Sequence, residues 1–445
     1  MNLNFLLSFS GIVSKAVPIL IAILFFGLII FVHEFGHFIF AKLFGVKVNE
    51  FALGMGPTLL KKQGKETKYA LRLFPIGGFV SMEGEEEESS DNRAFCNQAV
   101  WKRMIIIAAG ATFNLIMGVI ACIILVAAPW NPSTQESPAL VGTNQILQFY
   151  EGATSNTDGG LKEGDKILRI DGKRVWSDYD ISFLMQRNTS GKYNFVVERE
   201  GEKLQLSEVP FAKRTGGNFS YNPDCTISSV SGKLKDAGLK DGDRIIGVNG
   251  EKIKDSEALM AAIGADEDFT YDFDIERENE TLTIENVKMN TVTVFDFVIL
   301  GEEKTVFNVL STAFGYSFSL GRMVYLSLFD LLRGQYGFND LAGPVGTVSV
   351  IADVAGESVQ TADWTQMFML MAMIAINIGL FNLLPVPALD GGHLFFMIPE
   401  LIFRKKIPQK YEAYIHAAGL VVLFGFMILI SAGDIWKLIS GRGFY

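Results

Sequence analysis

Residues 17–45 read VPILIAILFFGLIIFVHEFGHFIFAKLFG, and the stretch from Val17 to Ile30 carries no charge. An apolar run of this kind reads as a membrane-spanning helix, which takes about 20 residues at about 1.5 Å of rise each. His33, Glu34 and His37 close the run. Ionisable side chains inside a span are costly and mark functional positions. His33 and His37 are four residues apart, so on a helix they share one face and can reach one cation. Only Lys15 flanks the run, and HEFGH occupies the place where a signal peptide would be cut. The segment therefore reads as a retained helix.

Neutral imidazoles suit Zn²⁺, which in catalytic sites takes three protein ligands and leaves one position open. Glu34 is adjacent on the same helix, where it can serve a water as base and proton shuttle. The plain alternative is a pair of interfacial histidines ending the span. A third ligand is needed, and the chain has four histidines. His416 stands alone in the last apolar run, where a structural role fits it better. NLLPVPALDGGH (residues 382–393) offers Asp390, after two helix-breaking prolines and before two glycines that permit close backbone approach. A carboxylate at the end of an apolar run calls for a metal or a cationic partner. His393, three residues on, is the rival ligand.

Composition frames the same reading. The chain has 445 residues, 49% hydrophobic and 20% charged, with mean hydropathy +0.27. Its charge gathers between residues 150 and 305 and thins in four apolar runs, about 17–43, 104–128, 366–386 and 411–434. This is a membrane protein with a soluble insert. A net charge of −10 without a basic face argues against nucleic acid. Cys96, Cys122 and Cys225 form neither a zinc pair nor a disulfide framework.

A fifth segment, 306–332, contains Asn308, Arg322 and Asp330. A central arginine costs about 2.5–3.5 kcal/mol in a span, so an amphipathic helix on the membrane surface is expected instead. FRKKIPQK (403–410) joins the last two spans, and Lys61, Lys62, Lys65, Lys68, Arg72, Lys102 and Arg103 lie between the first two. With four spans both basic loops face the cytoplasm and 130–365 faces outward.

Within that insert GLKEGDKILRIDGK (160–173) recurs as GLKDGDRIIGVNGE (238–251), 78 residues later and identical at seven of fourteen positions. Gly-Asp turns followed by β-rich runs indicate two small α+β domains of one type. The pattern resembles PDZ domains of bacterial envelope proteases; a generic duplicated β-domain is the alternative. The expected fold is a polytopic α-helical membrane protein of four transmembrane helices and a membrane-associated β-hairpin, with two inserted α+β PDZ-like domains. Its boundaries are 1–130 (first two spans with HExxH and a cytoplasmic β-loop), 131–222, 223–303 (the two repeats), 304–365 (surface helix and connector) and 366–445 (last two spans).

HEFGH in the first span together with N-x-x-P-x-P-x-x-D-G-G in a later one resembles the site-2 proteases, the zinc intramembrane metalloproteases. The two repeats between the second and third spans narrow the resemblance to the regulator-of-sigma-E protease (RseP) type of Gram-negative bacteria. It covers essentially the whole chain, including FALGMGP (51–57), PIGGFVSM (75–82) and LAGPVGT (341–347). The resemblance implies one Zn²⁺ per chain held by His33, His37 and Asp390, with Glu34 as catalytic acid/base. It implies Asn382 as a substrate-backbone contact. It further implies a re-entrant β-element at residues 68–84, with Gly77, Gly78 and Phe79 facing substrate, whose edge pairs with an unwound span; a surface hairpin is the bland alternative. AGATFN (109–114) lacks the usual proline after its glycine, which leaves the role of Asn114 open between supporting a ligand and packing. The implied substrates are single-span proteins of the bacterial inner membrane, such as an anti-sigma factor in the envelope stress response, or remnant signal peptides. The resemblance favours the pair of periplasmic repeats as a filter, with direct peptide binding as the alternative, and the partners are substrate and lipid bilayer without nucleic acid. Two other classes compete from the residues alone. A PDZ scaffold with a structural zinc would call for four protein ligands, and a transporter for repeated, broken spans. Neither pattern is present.

Overall fold

The computed structural model describes residues 3–439 apart from 86–88, 129–139, 189, 217–218, 231–232, 264–267, 279, 334–342 and 405–407. Parts of the acidic run 83–91, of the basic linker 403–410 and of LAGPVGT thus lie outside the described residues. The chain divides into two units, Met1–Val141 with Glu303–Tyr445, and Gly142–Glu302.

The first unit opens with helix α1 (Leu3–Leu43), which runs through HEFGH without interruption. Two assigned strands follow, β1 (Val48–Gln63) and β2 (Lys68–Met82). Each is folded, so together they supply four runs of one small sheet. Leu53 lies opposite both Leu71 and Gly78, and Ala52 opposite both Ala70 and Phe79, while residues 60–63 pair with 68–71 on the far side. The run 50–53 is therefore sandwiched between the two halves of β2. This corrects the expected hairpin at 68–84: the halves on either side of Pro75 do not pair with each other. Gly54, at φ +81°, turns the chain over residues 72–74, where a Cβ would come 3.2 Å from the Arg72 carbonyl oxygen. That turn frees 50–53 to enter the gap.

Helix α2 (Val100–Ala127) packs on α1. Then come α3 (Val306–Leu332), α4 (Pro344–Thr361), α5 (Thr365–Asn382), α6 (Asp390–Phe403) and α7 (Gln409–Ile439). Among the described residues, four helices are long and apolar enough to cross a membrane: Ala16–Leu43, Val100–Ala127, Thr365–Asn382 and Lys410–Trp436. These are the four expected spans. In lipid, helix association depends on close packing at small residues rather than on expulsion of water. The α1–α2 contact follows that rule, since a Cβ on Gly36 would lie 2.6 Å from the Ala109 carbonyl oxygen.

The segment 304–365, expected as a surface helix and connector, contains α3 and α4, and both pack on candidate spans. The stripe Ala313, Tyr316, Ser319 and Leu320 of α3 is buried, and α3 contacts α2 and α5. Helix α4 buries Ile351 and Ala355 and lies against α1. Asp390 begins α6 rather than ending a span, because Leu384 to Pro387 break the helix that closes at Asn382. The buried Arg103–Glu400 ion pair, at 2.6 Å, fastens α6 to α2.

In the second unit the repeat is visible atom by atom. Asp165 is fully buried and receives Arg199 Nε at 2.7 Å and Nη2 at 2.8 Å. Asp243 receives Arg277 at 2.6 and 2.7 Å. The same arginine nitrogen donates to Gly160 O in one copy and to Gly238 O in the other. Two separate cores result, one around Tyr193, Phe195 and Phe297 and one around Tyr271, Phe273 and Leu259. The cut at residue 223 needs adjusting at its far end. Strand 297–303 pairs with strand 140–149 in the first sheet, so residues 297–303, expected in the second copy, complete the first.

Candidate metal centre

His33, Glu34 and His37 sit on one turn of α1, with the two imidazole rings perpendicular at 4.8 Å between centroids. His37 Nδ1–H donates to the Ile106 carbonyl of α2 at 2.9 Å. That bond fixes the tautomer and leaves a lone pair on Nε2, the usual way a histidine is prepared for a metal. His33 Nε2 lies 3.2 Å from His37 Nε2. Asp390 Oδ2 completes a triangle at 3.3 Å from His33 Nε2 and 3.4 Å from His37 Nε2. Tetrahedral zinc with bonds of about 2.0–2.2 Å requires donors about 3.3–3.5 Å apart. The triangle has that size. Asp390 Oδ2 is buried, and among the described residues it has no hydrogen-bond donor other than these two imidazoles, as expected of an oxygen that shares a cation with them.

The space beside the triangle is kept by Gly110 of α2. A Cβ there would fall on His37 Nε2, 2.6 Å from His37 Cε1 and 2.9 Å from His33 Cε1. No residue but glycine leaves both rings their donor positions. Ile106, Gly110 and Asn114 recur at four-residue spacing and so share one face of α2. Asn114 is fully buried with Nδ2 3.3 Å from His33 Nδ1.

Glu34 faces the small sheet. A Cβ on Gly78 would lie 2.9 Å from Glu34 Cγ, so the run 78–82 passes directly over the glutamate. This run borders 50–53 on one side and, among the described residues, no strand on the other. Gly77 sits at φ +82° at the entrance to that edge. The Phe79 ring is covered by the Arg72 guanidinium at 4.7 Å. Asn382 ends α5, half-buried, and among the described residues no hydrogen bond or ion pair joins it to the triangle.

A second cluster, His393, Glu412 and His416, also gathers ligand-type atoms. Its geometry is different. His416 Nδ1 accepts Ala388 N–H at 3.0 Å, so the proton of the neutral ring is on Nε2. His393 stacks on it at 3.7 Å and 12°, and His393 Nδ1–H donates to Glu412 at 3.0 Å. In-plane lone pairs of stacked rings run side by side and do not converge on a point between them. The rival ligand is thus engaged by Glu412 and His416. Reading the sequence missed this pair, and it missed Gly110 as well. The latter's one signal was the small-residue run AGA (109–111) within a span.

Over residues 21–426 the chain matches Peptidase family M50. The chain belongs to that family. A protein of Clostridium acetobutylicum is 32% identical over 421 residues, 94% of this chain and 97% of its own. The regulator of sigma-W protease RasP of Bacillus subtilis is 28% identical over 455 residues, 94% of this chain and 97% of its own. Zinc metalloprotease RasP of Bacillus licheniformis is 28% identical over 454 residues, 94% of this chain and 98% of its own.

Proposed function

We propose that this zinc metalloprotease is an intramembrane endopeptidase that cuts transmembrane segments of single-span membrane proteins. The observation that carries the reading is the triangle of His33, His37 and Asp390, built on candidate spans, with Glu34 between it and an open sheet edge. Held by these three side chains, zinc supplies Lewis acidity to water and to the scissile carbonyl. Glu34 takes the proton of the attacking water and returns it to the leaving amine, the work of a general base and then a general acid. The run Gly77-Gly78-Phe79 offers free backbone groups to an extended substrate strand, which holds an unwound span beside Glu34. Asn382, eight residues before Asp390, binds substrate backbone beside the metal.

The duplicated α+β lobes serve as PDZ-like domains that decide which substrates arrive, refusing bulky outer domains. The setting is a bacterial inner membrane, with the lobes periplasmic and the triangle towards the cytoplasm. Anti-sigma factors of an envelope stress response are the substrates this layout suits, and RasP, named for regulation of sigma-W, is the relative that supports it. The test is cleavage of a reporter single-span protein in membranes, with zinc measured on the purified chain. Glu34→Gln should keep about one zinc and cut about 10²–10⁴-fold more slowly. Full activity in that variant would overturn the assignment.

A further inference from the structure

Asn114 is a buried polar group that the proposed chemistry leaves unused. Its side chain is fully buried in α2, with Nδ2 3.3 Å from His33 Nδ1 and Oδ1 without a partner among the described residues. In this arrangement His33 Nδ1 is the acceptor, so the ring proton sits on Nε2, the atom 3.3 Å from Asp390 Oδ2. A protonated Nε2 has no lone pair for a metal. Turning the amide over about its last bond exchanges nitrogen and oxygen with little change of shape, and either placement fits the same space. Oδ1 then accepts Nδ1–H, and the Nε2 lone pair points into the triangle.

His37 already shows this arrangement, since its Nδ1–H donates to an oxygen of α2, the Ile106 carbonyl. We propose that Asn114 is the matching positioning residue for His33: its amide oxygen holds the tautomer and ring angle in which His33 can bind metal. One face of α2 then serves both histidines, through the carbonyl of Ile106, the open space at Gly110 and the amide of Asn114. The inference rests on the metal site proposed above. It adds a residue that touches neither metal nor substrate.

The test measures zinc affinity, by chelator competition on the full chain in detergent, for the parent, Asn114→Asp, Asn114→Leu, Asn114→Ala and His33→Ala. Asn114→Asp keeps an oxygen acceptor and should bind within a few-fold of the parent. Asn114→Leu keeps the volume without the acceptor, and Asn114→Ala removes both; each should bind about 10–100-fold more weakly, the usual cost of losing such a partner. Unfolding of the metal-free proteins checks that the variants are folded. Parent-like affinity in Asn114→Leu overturns the proposal. A loss in Asn114→Asp equal to that in Asn114→Leu also overturns it, by showing that an oxygen acceptor at this position does not preserve binding. If His33→Ala binds zinc as the parent does, the metal site itself is wrong, and this outcome is distinct from the other two.

Discussion

Each of the two histidine clusters contains two imidazoles and one carboxylate, yet their geometries differ. In the first, His33 and His37 are perpendicular and their Nε2 atoms meet Asp390 Oδ2 in a triangle of 3.2–3.4 Å. In the second, His393 and His416 lie flat on each other and each spends Nδ1 on a protein partner, Glu412 and the Ala388 amide. Proximity of ligand-type atoms is common to both. Convergence of the ligand-type atoms on one point is particular to the first, and α2 contributes to it by taking one proton of His37 and leaving a gap at Gly110.

The second cluster has its own task. Ala388 is held at φ 76°, a conformation that costs a non-glycine residue about 1–3 kcal/mol. His416 accepts its N–H, and α7 lies so close that a Cβ on Gly419 would come 3.0 Å from the Pro387 carbonyl oxygen. The loop bearing Asp390 is therefore bound to α7 two residues before the carboxylate, and α6 beyond it is bound to α2 by Arg103 and Glu400. On the proposed reading, one cluster binds metal and the other holds one of its ligands in place.

Variants can break this distinction in order of effect. Removing a donor should be most severe: His37→Ala or Asp390→Ala should lose zinc and bring cleavage of a reporter span to background. Gly110→Val should come next, losing metal with all three donors intact because its side chain fills the gap. Zinc retention together with activity in that variant would contradict the account of α2. Glu400→Ala leaves Arg103 buried without its partner, which costs about 3–5 kcal/mol; thermal unfolding should show a large loss of stability while the zinc content of the remaining folded protein stays near one. His416→Phe preserves the stack and removes the acceptor, leaving the Ala388 N–H unsatisfied at about 1–3 kcal/mol. It should weaken zinc binding without changing its stoichiometry.

Much of this was legible in the chain, and for definite reasons. HEFGH is periodic within one helix, so two donors and the glutamate could be read from spacing alone. Asp390 stood out because a carboxylate after two prolines in an apolar run has no ordinary use. The repeat was legible because Gly-Asp turns recur at a fixed offset, which reaches as far as Arg199 and Arg277. What escaped was set by contacts between distant segments. The insertion of 50–53 between the halves of β2 depends on Gly54 turning the chain over Arg72, and no local period encodes it. Gly110 looks like any small residue in a span until the rings of α1 are set against it. His393 and His416 are separated by a helix break and a linker, and only the packing of α6 on α7 stacks them. Residues 291–303 follow the second repeat in sequence, and the pairing of residues 297–303 with 140–149 returns them to the first.

The central claim is that the four histidines divide two and two, one pair binding metal and the other holding the loop. Zinc stoichiometry of two double variants, His33→Ala/His37→Ala and His393→Ala/His416→Phe, tests it most directly, measured by elemental analysis on purified, folded chain beside the parent. The account predicts about one zinc in the parent, none in the first variant and about one, more weakly held, in the second. Zinc retained without His33 and His37, or lost only without His393 and His416, would contradict it.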